Sequence, residues 1–201
     1  MNLGDALARK GKPDDAMAHY DEALRLQPDY GDAYFNRGTV LFATGHIDEA
    51  IADLTKALEI HPNDTDAHTS LGNALLQKGS PREAIAQYLT ALALVPKDPH
   101  SRNNVAWVLA TTSDGSIRDG ARAVGFAEEA VQLSGGREPR FLRTLAAAYA
   151  ESGRFSEAIA VAQQAAGIAN MQAKPDVAKR LENDLLLFRG NLPLRESSPG
   201  H

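Results

Sequence analysis

A chain of 201 residues is long enough for one repeat array or for one compact domain with a sizeable core. With 43% hydrophobic and 23% charged residues it has the composition of an ordinary folded protein, and its formal charge of −5 argues against a polyanion-binding surface. The absence of cysteine removes disulfides, thiolate nucleophiles and cysteine-ligated zinc.

The opening, Met1-Asn2-Leu3-Gly4-Asp5, lacks the basic-then-apolar pattern of a secretory signal. No stretch approaches the roughly 20 continuous apolar residues of a membrane-spanning helix. The expectation is a cytoplasmic chain that does not insert into a membrane. Residues 1–29 carry the end of a pattern completed further on. Gly4, Gly11, Ala16 and Ala23 stand 34 residues before Gly38, Gly45, Ala50 and Ala57. Residues 30–64 and 65–98 then repeat without a gap: Pro28, Pro62 and Pro96 keep the step of 34, as do Gly45 with Gly79, Ala50 with Ala84, and Ala57 with Ala91. Each repeat predicts two helices joined by a glycine turn ("GHIDEA", "GSPREA"), the second ended by a proline that lacks an amide donor. Residues 99–136 keep Val105, Ala106, Leu109, Ala123 and Ala130 but carry a five-residue insertion in the turn Thr111–Arg118. Residues 137–173 restore the pattern with Leu145, Ala146, Tyr149, Gly153, Ala158 and Ala165. Pro175-Asp176 then opens a capping helix over 174–190, with Val177, Leu181, Leu185 and Phe188 as its apolar stripe. "GNLPLRESSPGH", over 191–201, is expected to be a flexible tail.

These residues resemble the tetratricopeptide repeat, whose small residues fall at positions 8, 20 and 27 of a 34-residue helix-turn-helix. In this chain those positions hold Gly38, Ala50 and Ala57, then Gly72, Ala84 and Ala91; the large residues at positions 11 and 24 are Leu41 with Leu54 and Leu75 with Tyr88. The resemblance implies an all-α fold, a right-handed superhelical solenoid of about five repeats (the first truncated) plus a C-terminal capping helix. The opening at position 5 of a repeat suggests an excised or clipped domain. The segments "NNVAWVLATTSDGSIRDGARAV", "LSGGREPRFLRTLAAAYAESGRFSEAIA" and "LENDLLLFRGNLPLRE" also resemble the C-terminal repeat regions of large bacterial tetratricopeptide proteins, some of which carry a glycosyltransferase-like membrane portion. Nothing in this chain matches that portion.

In this family, side chains near positions 2, 5, 6, 9 and 12–13 of each first helix line the concave face. Carried over, they give Phe35, Asn36, Thr39 and Phe42, then Ser70 and Asn73, then Asn103, Asn104 and Trp107, then Arg140 and Arg143, as a partner-binding groove. Asparagine is a poor helix-interior residue, and its amide both donates and accepts, which suits an extended peptide backbone. Asn36, Ser70 and Asn104 share position 6 and resemble the asparagine ladder of protein O-linked N-acetylglucosamine transferases, with serine as a departure at the middle rung. Phe35, Phe42 and Trp107 are candidate aromatic anchors, although Phe42 fits the inter-repeat core equally well. Asp32 and Asp66 lie early, Arg140 and Arg143 late, so a ligand's acidic part is expected over the fourth and fifth repeats. The carboxylate clamp of chaperone adaptors needs Lys and Asn at positions 5 and 9, Asn at 6, then Lys and Arg at 2 and 6. Here those positions hold Phe35 and Thr39, Ser70, then His100 and Asn104, so chaperone C-termini are not expected ligands.

No phosphate loop, zinc-protease helix, nucleophile elbow or EF-hand loop is present in the sequence. The six histidines show no i, i+4 pair; His61 and His68 straddle a turn and read as surface residues. The chain is therefore expected to be no enzyme, with no metal and no cofactor. Its partner is expected to be a protein or peptide and not a nucleic acid. Two alternatives stand beside this adaptor reading. One is an accessory substrate-recruiting domain of a larger bacterial protein. The other is self-association, as a homo-oligomer, through an apolar edge at the incomplete first repeat (Leu3, Leu7, Met17, Tyr20).

Overall fold

The computed structural model describes residues 3–196. Those residues form eleven helices and no strand, in agreement with the all-α expectation. They fall into two units that divide between Leu94 and Val95.

The first unit holds α1 (Leu3–Arg9), α2 (Pro13–Leu26), α3 (Gly31–Ala43), α4 (Ile47–Ile60), α5 (Thr65–Gln77) and α6 (Pro81–Leu94). They pair as α1/α2, α3/α4 and α5/α6 across glycine turns, where Gly45 and Gly79 take φ of +86° and +87°. A side chain is strained at that angle, so glycine is what lets the chain reverse in so few residues. The close approach within each pair has its own glycine. A Cβ on Gly72 would stand 2.5 Å from the Tyr88 ring, and one on Gly38 would stand 3.0 Å from Leu54 Cγ. The small residue at position 8 is therefore the socket for the large residue at position 24. Leu54 and Tyr88 are buried completely in those sockets. Burial of each such side chain contributes roughly 1.5–3 kcal/mol.

Tyr20 fills the same socket opposite Gly4 and is only 1% exposed, packed with Ala16 and Val40. This corrects the expectation that Tyr20 lies on an open apolar edge. Tyr20 is core, and Leu7 and Met17 are half-buried around it. The Leu3 side chain lies outside the described part.

Polar groups of this unit are bound within it. The Arg37 guanidinium grips Asp53 with two hydrogen bonds of 2.6 and 2.8 Å and reaches Asp21 at 2.6 Å. The bond to Asp53 is the main cause that moves the Arg37 pKa further upward, against the opposing effect of burial. His68 uses both ring nitrogens, on Gln87 (2.7 Å) and on the Pro62 carbonyl (2.9 Å).

The second unit holds α7 (Pro99–Thr111), α8 (Gly120–Leu133), α9 (Pro139–Glu151), α10 (Phe155–Met171) and α11 (Pro175–Arg189). α10 presents Ala158, Ala162, Ala165 and Ala169, each fully buried, at alternating steps of four and three. That spacing is one helical stripe, and its small side chains let α9 and α11 approach closely. Against it α11 buries Leu181, Leu185 and Phe188, with Val177 half-buried at the margin.

The inserted turn between α7 and α8 is ordered by its own polar groups. The Asp114 carboxylate accepts from the Ser116 amide (2.9 Å) and hydroxyl (2.5 Å), and Arg118 donates to the carbonyls of Thr112 and Ser113, 2.9 Å each. Residues 191–196, where a flexible tail was expected, turn back at Asn191 (φ +54°) and are bonded to α7. The rest of that expected tail, 197–201, lies outside the described residues.

Candidate functional site

The sequence expects one groove; its residues fall into the two units, and the second group is gathered around a cavity. In the first unit Phe35, Asn36, Thr39 and Phe42 lie on α3, Ser70 and Asn73 on α5, all half-buried. Two of them are engaged locally. The Thr39 hydroxyl donates to the Asn36 carbonyl at 2.7 Å, and the Asn73 side-chain carbonyl oxygen accepts from the Tyr88 hydroxyl at 2.8 Å. An asparagine that looked like a ligand contact therefore also serves to satisfy a buried phenol, which explains its place mid-helix.

In the second unit Asn103, Asn104, Trp107, Arg140 and Arg143 line a single cavity of about 280 Å3, together with Thr144, Val177, Arg180 and Glu196. The first three come from α7, the arginines Arg140 and Arg143 and Thr144 from α9, Val177 and Arg180 from α11. The start of α7 is set by Pro99 at its first turn and by Asp98, whose carboxylate caps the amides of His100 (3.2 Å) and Ser101 (2.7 Å). Burial works to raise the Asp98 pKa, but the bonds from the Ser101 hydroxyl and from the two amides outweigh it and hold the carboxyl below its ordinary value.

The cavity wall is built by three arginines with different states. Arg143 donates to Asp184 at 2.5 and 3.2 Å and stacks over the Trp107 ring, 4.8 Å from its centre. Asp184 is 3% exposed, so this pair is drawn largely out of water. Arg140 and Arg180 are exposed and pair with no carboxylate among the described residues. Facing them, Asn103 is 6% exposed and its side-chain carbonyl oxygen accepts no hydrogen bond among the described residues. A buried acceptor left unpaired costs about 1–3 kcal/mol. The Trp107 indole N–H donates to the Glu196 carboxylate at 2.7 Å, and Glu196 also bounds a neighbouring cavity of about 390 Å3 lined by Trp107, Arg143, Arg180, Leu194 and Arg195.

Sequence reasoning missed Val177, Arg180, Leu194, Arg195 and Glu196. The one available signal was Trp107: an indole N–H drawn out of water requires an acceptor, and its own repeat supplies no carboxylate at a groove position.

Paired helices, socket glycines and a groove lined by first helices are the geometry of one repeat family. Models of the tetratricopeptide repeat match residues 1–65, 41–107 and 139–164. The chain belongs to the tetratricopeptide-repeat family. Solved structures agree on the fold. MamA is 22% identical, with 87% of this chain and 98% of that one covered at a TM-score of 0.72. A thermophilic TPR protein of Thermus thermophilus is 21% identical, with 92% and 96% covered at 0.70. YrrB, described as a TPR protein with an unusual peptide-binding site, is 20% identical, with 90% and 88% covered at 0.68. Comparison with curated proteins returns no match. Among the described residues of this tetratricopeptide-repeat protein, no helix is long and apolar enough to cross a membrane.

Proposed function

We propose that this protein is a non-catalytic interaction scaffold that binds an extended peptide of a partner protein in the groove of α7, α9 and α11. The observation that carries the reading is Asn103: a buried amide carbonyl with no donor among the described residues, on the wall of a cavity flanked by the cations Arg140 and Arg180. A peptide main chain supplies N–H donors at the spacing such an amide needs, and acidic side chains suit the arginines. The groove's polar groups are amides, guanidiniums, a threonine hydroxyl already bonded to the Arg140 carbonyl, and the Glu196 carboxylate, already engaged by the Trp107 indole N–H, a set suited to binding more than to proton transfer. The peptide-binding description attached to YrrB, a similar fold, is in line with this.

A displayed peptide library panned on the full chain, followed by calorimetric titration of the selected peptides, tests the proposal. Asn103→Leu removes the orphaned acceptor at similar volume. It is expected to weaken peptide binding by about tenfold, or about 1.4 kcal/mol, while leaving the unfolding midpoint unchanged or slightly raised. No enriched peptide, or undiminished affinity in the variant, sinks the reading.

A further inference from the structure

The end of α7 leaves its last four main-chain carbonyls without a partner inside the helix, as every α-helix does. Here all four are met. The Val108 carbonyl accepts from the Thr112 amide (3.2 Å) and the Leu109 carbonyl from the Asp119 amide (3.1 Å). The Ala110 carbonyl accepts from the Arg195 guanidinium (3.4 Å) and the Thr111 carbonyl from the Glu196 amide (2.9 Å). Two of the four donors thus come from a segment 85 residues further along the chain.

The same two residues carry the charged contacts. Glu196 takes the Trp107 indole N–H, and Arg195 reaches the Glu151 carboxylate at 2.6 Å. Upstream the segment is anchored by the turn at Asn191, where the amides of Asn191 and Leu192 close onto the carbonyls of Phe188 and Leu187. Leu194 packs against the core of α9, α10 and α11. A stretch with one acidic side chain therefore already lies in the groove.

We propose that residues Leu192–Glu196 are an intramolecular occupant of the groove, a tethered stand-in that the partner's peptide must displace. The inference rests on the peptide-binding reading above and deepens it in two respects. It names the competitor, and it takes the ligand's chemistry from the competitor: a segment that offers a main-chain N–H to the Thr111 carbonyl and a carboxylate to the Trp107 indole. A short flexible tether holds its ligand at an effective concentration on the order of millimolar, so an untethered peptide of equal intrinsic affinity is suppressed. Only a partner with further contacts, in the cavity beside Asn103 and Arg140, outcompetes it.

Trp107 is the only tryptophan, so its emission reports whether Glu196 is docked. The test uses the full chain as wild type, as Glu196→Arg and as Arg195→Ala, each first checked for a native helical circular-dichroism melt. The probe is a fluorescein-labelled, carboxy-amidated peptide of residues 190–196. The proposal expects a red-shifted Trp107 emission in both variants and at least about tenfold tighter binding of the probe to them than to wild type. A probe with glutamine at its last position is expected to lose most of that binding. Wild-type emission in both variants overturns the proposal, as does equal probe affinity for all three proteins. Shifted emission with no probe binding to any of them overturns the peptide-binding reading and, with it, the competition. If Glu196→Arg fails to fold, Arg195→Ala alone decides by the same readings.

Discussion

The two units use one repeat pattern and treat polar groups differently. In the first, repeats follow the pattern closely and buried polarity is nearly confined to Asp53, held by Arg37. In the second, where the pattern decays, Ser101, Asn103, Thr111, Thr112, Thr144 and Asp184 are all buried. Buried polar groups demand partners, and satisfying them across helices and a returning segment is what builds a cavity with defined donors and acceptors. Regularity makes a scaffold, and departure from it makes a site.

The largest effect expected from this contrast is at the two buried ion pairs. Asp184→Ala strands Arg143, which has no second carboxylate among the described residues, and is expected to cost about 3 kcal/mol in urea unfolding of the full chain. Asp53→Ala leaves Arg37 with Asp21 at 2.6 Å and is expected to cost roughly half as much. Equal losses would erase the distinction between a paired and a networked arginine. The socket glycines give the next effect. Gly72→Ala drives a Cβ into the Tyr88 ring and is expected to cost about 1–2 kcal/mol. Gly38→Ala meets only Leu54 at 3.0 Å and Asp53 at 3.3 Å, and the gain of roughly 1 kcal/mol in helix propensity brings it near neutral. A double-mutant cycle of Gly72→Ala with Tyr88→Leu is expected to show the two changes coupled; additivity would mean the ring is not what Gly72 accommodates.

Smaller still is the cap that positions α7. Asp98→Ala is expected to cost about 1 kcal/mol at neutral pH. The depressed pKa of Asp98 means that its contribution is present above the unfolded carboxylate value of about 3.9 and is lost as pH falls through the lower folded value. Wild type and variant should therefore converge in stability in a pH titration below about 4, and a gap that persists at pH 2 would count against the cap. Last is the turn after α10. Gly11, Gly45 and Gly79 in the first unit and Gly135, Gly136 and Gly153 in the second take positive φ, whereas Ala173 sits at +54° with a side chain. Ala173→Gly is expected to raise stability by about 0.5–1 kcal/mol, read as a higher unfolding midpoint.

Most of the fold was legible because a period of 34 states, at several positions at once, which residues are sockets and which are fillers. The same register placed Asn103, Asn104, Trp107, Arg140 and Arg143 on first helices, and α7 and α9 then bring them together. What the sequence did not disclose has no period. Glu196 meets Trp107 across 89 residues, from a Ser-, Pro- and Gly-rich stretch whose composition signals a loose end. In the sequence Asp184 is one more polar position of a capping helix, and only its burial against Arg143 distinguishes it. Asn73 misled for a related reason: a helix-interior asparagine advertises an unmet bond, but not whether a ligand or a neighbouring tyrosine meets it.

The inserted turn after α7 has a bearing on any attempt to improve this protein by averaging its repeats. Arg118, in that turn, donates both to the carbonyls of Thr112 and Ser113 and, at 3.1 Å, to Glu151, the carboxylate that also holds Arg195. A consensus redesign would trim the insertion as an irregularity and delete Arg118 with it. The shortened repeat would match its siblings better and leave Glu151 with one arginine instead of two, so idealising the array would dismantle the frame around its most individual feature.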